Sequence, residues 1–431
     1  MTDQSEHRQP GNRGGILDGI KVLELSQNAA IPHCGRLLAG LGSDVVKVEP
    51  PGGDAMRGLA TLGPNESRAF AVINPGKRSI VIDLNAKGAG EVIDALFRWA
   101  DVALVAFKRS DLARYNIGWD HARTVNTRLV HLTHTPLGPN GPEADQGGYD
   151  VLVQGRSGVG FIMNRSKNGV PLPTRPAIHD FATGIAAAFA VMAGLRHRDH
   201  TGEGQRVDAS LLGTAMSLGL ATLAFFPTLD TEPIAEFAAD LAVLREAGVD
   251  FDQQREMYED RVQAGQGAFR LYFRHYRTAD GLISVAGLSR GLWLKFHNVT
   301  GLPVPDVSDP STPEFQSVVD QAEALFAEKT TAEWTDILEA AGYPCGPYNL
   351  PYEALADPQV LANDYVVELD HPVFGPYTTA GMPVSFEKAA SGIRGPSPVL
   401  GADTRDVLVE AGLTARQIDD LAAARVIIDG G

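Results

Sequence analysis

The chain has 431 residues, 44% of them hydrophobic and 21% charged, a balance that suits a folded core and a length that suits two or three domains rather than one. Lys and Arg total 37 against 53 Asp and Glu, a formal charge of -16, so nucleic acid and anionic membrane are repelled over most of the surface and an anionic ligand needs a local cluster of donors. Two cysteines, Cys34 and Cys345, make no disulfide framework.

Residues 1–15 are polar and Gly-rich with no apolar h-region. They read as a disordered tail rather than a secretory signal, and the expected location is cytoplasmic. Ile20–Leu25 (IKVLEL) then reads as a strand. Pro32 suits the first turn of a helix running to Leu41, with Gly42 at its C-cap. Asp44–Glu49 (DVVKVE) is a second strand, stopped by Pro50 and Pro51, and Ser79–Leu84 (SIVIDL) a third. Gly88–Trp99 carries apolar residues at helical spacing, and Val102–Val105 and Leu129–Leu132 are short strands. Strands alternating with helices predict a mostly parallel sheet of an α/β fold.

Phe181–Arg196 reads as a helix apolar nearly all round, hence buried. Its longest apolar run, Ile185–Leu195, is too short to span a bilayer. A polar turn at 200–205 leads to a second buried element from Val207 to about Leu223. The texture then changes to Asp, Glu and Gln, so a second, smaller domain is expected from 227 to 335, with a turn at Thr278–Gly281 feeding the strand Leu282–Ala286.

No metal, Walker or dinucleotide motif is present, and Gly-x-Ser-x-Gly is missing. His197 and His200 read as loop residues and Cys34 as packing. Asp180, in Ile178-His179-Asp180-Phe181-Ala182-Thr183-Gly184, stands directly before the apolar helix. Two roles are open. It can cap the helix by accepting from the amide of Ala182 or Thr183. Alternatively, a carboxylate kept ionised by the helix dipole and partly desolvated can attack a thioester. Arg57, Lys77, Arg78, Lys108, Arg109 and Arg114 fall in turns near strand ends. They are either solvated surface charges or a cluster that holds phosphates.

The segments GIKVLELSQ, LLAGLGSDVVKVEPPGGD, NPGKRSIVIDL, GGYDVLVQGRSG, IHDFATG, RHRDHTGEGQRVDASLL and AGYPCGPYNLPYEALADPQV, in this order, resemble the class III CoA-transferase family. That family includes formyl-CoA transferase, carnitine CoA-transferase and α-methylacyl-CoA racemase. The resemblance implies a Rossmann-like large domain with a parallel sheet, built from residues 16–226 and 336–431. It also implies a small inserted α+β domain at 227–335, an interlinked homodimer, and an active site between domains. It implies no tightly bound cofactor, coenzyme A and acyl-CoA as substrates, and a small carboxylic acid as co-substrate. Asp180 falls on the family nucleophile, which passes through an aspartyl anhydride and an aspartyl-CoA thioester. Lys77, Arg78, Arg57, Phe107 and Arg114 fall where the family contacts CoA, with Lys77 expected near its phosphates. Ala29 stands where formyl-CoA transferase has a catalytic Gln, and Ala106 where Asn is frequent. Both departures count against formate or oxalate and leave the acyl group open. The nearest match to a Gly-rich active-site loop is Ala264–Gly267, shorter than the usual run.

Two other readings follow from the same resemblance. A racemase would exchange an α-proton between a His and an Asp, but its His falls at Tyr149, whose phenol is a poor base near neutral pH. His179, beside the nucleophile, is the candidate substitute base, but at that spacing its ring is expected to point elsewhere. A non-catalytic acyl-CoA-binding protein would keep the fold and lose the nucleophile, whereas Asp180 is present.

Overall fold

The computed structural model describes residues 14–220, 222–263 and 267–429. Contacts divide the chain into two units, one of residues 1–165, 171–226 and 361–431, the other of 166–170 and 227–360.

The first unit is built on a seven-stranded sheet. In chain order its elements are β1 (Lys21–Leu25), α1 (Ala30–Gly40), β2 (Asp44–Glu49), β3 (Arg78–Ile82), α2 (Ala89–Trp99) and β4 (Val102–Val105). They continue with β5 (Val130–Thr135), α3 (Asp150–Arg156), α4 (Ile178–Thr201) and β6 (Gln205–Ser210). A short last strand, Ile427–Ile428, joins beside β3. The spatial order is β6-β5-β4-β1-β2-β3 and then that last strand. Pairing is parallel throughout except at the last strand, which is antiparallel to β3. Parallel strands are buried on both faces, which explains why they read as nearly continuous apolar runs.

Within each strand the residues alternate between two cores. Leu23, Leu25, Val46, Ile80, Ala103 and Val105 pack against Val92, Ile93, Leu96 and Phe97 of α2. On the other face Val22, Val45, Val102, Leu104, Val130 and Leu132 pack against α1 and α4 through Leu37, Leu38, Ala187, Val191 and Leu195. Helix α4 spans 24 residues and is long and apolar enough to cross a membrane by length and composition alone. Here it lies along α1 and β5. It is not buried all round as its sequence implied, because Ile185 and Phe189 on its outer side are 54% and 77% exposed.

The stretch after α4 is a strand followed by a helix, β6 and then Leu211–Leu218, rather than one buried element. Ser210 ends the strand and caps the helix by accepting from the Gly213 amide at 3.0 Å.

The second unit carries an antiparallel sheet of Phe273–Arg277, Leu282–Ala286 and Cys345–Pro347 with helices around it. Its core is aromatic: Tyr272, Tyr276, Phe296, Phe326 and Trp334 are all buried together. The unit runs to Val360 rather than 335. The physical reason is the third strand, which pairs Cys345 with Val285 and so belongs to this sheet. Of the Gly-containing loop expected at Ala264–Gly267, residues 264–266 lie outside the described residues, as do residues 1–13 of the expected tail.

Candidate active site

The order β3-β2-β1-β4-β5-β6 reverses direction between β1 and β4. At such a point the connections leave to opposite sides and a crevice opens at the carboxyl ends of the strands. A cleft of about 400 Å³ lies there, walled by Gln27–Ile31 after β1, Ala106–Lys108 after β4 and His134–Pro136 at the end of β5. Gly147, Gly148, Tyr149, Asp180 and Leu211 complete it.

Local conformation sets these walls. Asn28 takes φ 69°, a left-handed bend that turns the chain from β1 into α1. Ala29 precedes α1 and offers no side-chain cap, so the first amides of that helix, at Ala30 and Ile31, stand at the cleft. Helix α4 begins at Ile178, one turn earlier than its sequence suggested, and its N-cap Ala177 has no capping side chain. Asp180 therefore lies within the first turn and is not the cap. Gly184, one turn on, lets α4 cross α1 closely: a Cβ there would meet Ala30 O at 2.7 Å and His33 Cβ at 2.8 Å.

Among the described residues none donates a hydrogen bond to the Asp180 carboxyl that would favour its charge. Burial, with the nearby charge of Asp150 second, pushes it up to about 6. Asp150 is itself engaged: its Oδ1 accepts from both the backbone amide and Nδ1 of His179, each at 3.0 Å, and its Oδ2 accepts from Gln154. His179 is buried and held by that carboxylate, so it clamps the start of α4. Tyr149, ahead of α3, is 65% exposed at the cleft.

The predicted cofactor-binding cations separate into two groups. Lys77 does not reach the cleft. Its side chain is wholly buried and its ammonium donates to Glu24 Oε2 and Pro32 O, both at 2.7 Å, and to Asn74 Oδ1 at 2.8 Å. All three protons are used, and burial brings its pKa down to about 8. Arg57 is likewise consumed. It makes a two-pronged pair with Glu49 at 2.7 and 2.9 Å, reaches Glu66 at 3.1 Å, and donates to the carbonyls of Asn65 and Pro398. Arg78 opens β3 at the amino edge of the sheet, opposite the cleft, where it pairs with Asp44 and Glu410. All three side chains are committed to carboxylates within the chain: Lys77 to Glu24, Arg57 to Glu49 and Glu66, and Arg78 to Asp44 and Glu410. Arg114 donates to Asn85 at 2.9 Å and lies over Tyr115, outside the cleft.

Phe107, Ala106 and Ala29 do line the cleft. So does Lys108, which has no ion pair among the described residues. Arg109 lines a second cleft of about 500 Å³ that shares Thr135 and Ala144 with the first. Gln27, Asn28 and His134 are cleft residues that the sequence reading passed over. The signal available for them was position alone, since each directly follows or ends a predicted parallel strand. No group of His, Cys, Asp and Glu suited to a metal ion occurs among the described residues.

Residues 17–404 match CoA-transferase family III. A succinate–glutarate CoA-transferase of Agrobacterium fabrum is 30% identical over 95% of this chain and 98% of its own. A formyl-CoA:oxalate CoA-transferase of Afipia carboxidovorans is 29% identical over 91% of this chain and 92% of its own. Among solved structures, Rv3272 from Mycobacterium tuberculosis has a TM-score of 0.72 at 26% identity, covering 91% of this chain and 99% of that one. A CaiB/BaiF family protein from Brucella suis has a TM-score of 0.68 at 24% identity, covering 93% and 100%. The sheet order, the cleft at its reversal and this likeness over nearly the whole length agree: the chain belongs to CoA-transferase family III and is an enzyme that transfers coenzyme A.

Proposed function

We propose that this enzyme moves coenzyme A from an acyl-CoA donor to a carboxylic acid through covalent intermediates on Asp180. One observation carries the reading: a carboxyl group with no hydrogen-bond partner among the described residues, fixed in the first turn of α4, lines the cleft at the sheet's reversal. In the first step an Asp180 oxygen attacks the donor thioester carbon, the C–S bond breaks, and a mixed anhydride and CoA thiolate form. The thiolate then attacks the aspartyl carbonyl. The anhydride C–O bond breaks, the donor acid leaves as its carboxylate, and an aspartyl-CoA thioester remains. The acceptor carboxylate attacks that thioester and expels the thiolate. The thiolate then takes the acceptor acyl group and restores Asp180. No proton is gained or lost over the cycle.

The chain's own groups suit each step. The uncapped amides of Ala30 and Ile31 are donors for the oxyanion that forms at each attack. Lys108 and Arg109, one in each of two adjoining clefts, are cations for the CoA phosphates. Ala29 and Ala106 are small side chains in the cleft wall, which counts against formate and oxalate and leaves the acyl group open. We further propose a homodimer, in which the exposed apolar side of α4 with Ile185 and Phe189 is covered by a second copy, and a cytoplasmic setting that suits the free thiols of Cys34 and Cys345.

The test is a trap. The protein is mixed with acyl-CoA and then with hydroxylamine or borohydride, and the peptide holding residue 180 is weighed. A modified Asp180 is expected, and an unmodified one in turnover-competent protein refutes the scheme. Exchange of the substrate α-proton with deuterated water, with no adduct, would instead indicate a racemase. That reading is weakened by Tyr149 at the position of the second base and by the engagement of His179 with Asp150.

A further inference from the structure

His134 is the cleft residue with no role in the scheme above. It sits near the carboxyl end of β5, on the same side as Val130 and Leu132, which pack on α4. Helix and strand run in opposite directions: Gly194 meets Val130, while the N-terminal turns of α4 lie toward the other end of β5. His134 thus falls at the end of β5 that Asp180 overlies, and both line one cleft.

The cleft it lines mixes apolar walls with the polar Gln27, Asn28 and Asp180 and is sparing of positive charge. Ala30, Ile31 and Leu211 are walls of the same cleft, and Lys108 is the one lysine or arginine among its described lining residues. The imidazole Nε2 is buried with no hydrogen-bond partner among the described residues. Burial alone draws the ring down to about 4, so it is a neutral imidazole at physiological pH. A neutral ring carries one donor and one acceptor, and a buried nitrogen left without a partner is costly.

We propose that His134 is a specificity-determining residue that selects acids bearing a hydroxyl on the chain, by hydrogen-bonding that hydroxyl beyond the carboxyl group being activated. The assignment rests on the CoA-transfer reading above. A hydroxyl both donates and accepts, so it satisfies either tautomer of the ring. A second carboxylate fits less well, because the Asp180 carboxyl lines the same cleft and a neutral ring supplies no countercharge. A plain alkyl chain displaces water and leaves the nitrogen without a partner, and sites built to hydrogen-bond a group discriminate strongly against analogues that lack it.

The test is acceptor competition with the full-length enzyme. 4-Hydroxybutyrate, pentanoate and succinate are offered with one acyl-CoA donor, and the CoA products are resolved by mass spectrometry. The expected result is a kcat/KM ratio of hydroxy acid to alkanoate of at least tenfold. His134→Leu is expected to bring that ratio near one, and His134→Asn, which keeps a donor and an acceptor, to recover part of it. A ratio unaffected by His134→Leu, or a preference for succinate over 4-hydroxybutyrate in the native enzyme, overturns the proposal. The Asp180 adduct is measured in parallel. An adduct without acceptor discrimination overturns the role of His134 alone, whereas no adduct removes the parent reading as well.

Discussion

At the scale of single residues, the Asp180 carboxyl is both the reactive group and a local burden. Only its ionised form is a nucleophile, so the acyl-transfer rate is expected to rise with pH through about 6 and then level off. A profile centred near 4 would place the carboxyl in water instead. The same shift has a sign for stability. A native pKa above the unfolded value means that the folded state holds its proton longer, so this contribution is full below about 4 and is lost as pH rises through about 6. Asp180→Asn is therefore expected to abolish transfer and yet to stabilise the fold at pH 8 by on the order of 1–2 kcal/mol, read by denaturant unfolding. Lys77 behaves in the opposite way. Lys77→Ala leaves Glu24 buried with one of its two ammonium partners gone and is expected to cost about 3 kcal/mol. Lys108→Ala is expected to raise the KM for acyl-CoA several-fold with little change in stability, since its charge has no ion pair among the described residues.

At the scale of elements, much was legible in the sequence because parallel strands buried on both faces announce themselves as apolar runs. IKVLEL, DVVKVE and SIVIDL became β1, β2 and β3 within one or two residues. Helix α4 was legible as a helix, but its start was not. Ala177 has no capping side chain, so nothing in the local pattern marks the boundary, and Asp180 presents itself as a cap one turn too late. What the local pattern could not carry is the partner of each cation. Lys77 meets Glu24, 53 positions away, and Arg57 meets the carbonyl of Pro398, so solvent-facing and buried charges look alike until the sheet is assembled. The close crossing of α1 and α4 supplies a test at this scale. Gly184→Ala is expected to force those helices apart, lowering stability by about 1–3 kcal/mol and slowing transfer as Asp180 moves off the α1 amides. Unaltered kinetics in that variant would separate the crossing from the chemistry.

At the scale of the whole molecule, the sheet is finished by the end of the chain. Ile427 and Ile428 pair with Ile82 and Val81, and Val426 and Ile427 enter the core beneath α2. Ending the chain after Arg425 is expected to remove about 2–4 kcal/mol of apolar burial and to leave one side of β3 without a neighbour, so that the shortened protein aggregates on heating. The same arrangement governs how the enzyme is made. As the polypeptide leaves the ribosome, β1 through β6 emerge some two hundred residues before the segment that covers β3. The strands of the first unit are therefore expected to stand with an exposed β3 edge while the second unit is synthesised. Chaperones are expected to be needed while that edge is open, and ribosome-bound chains stopped before residue 427 should bind them more than chains that include residues 427 and 428.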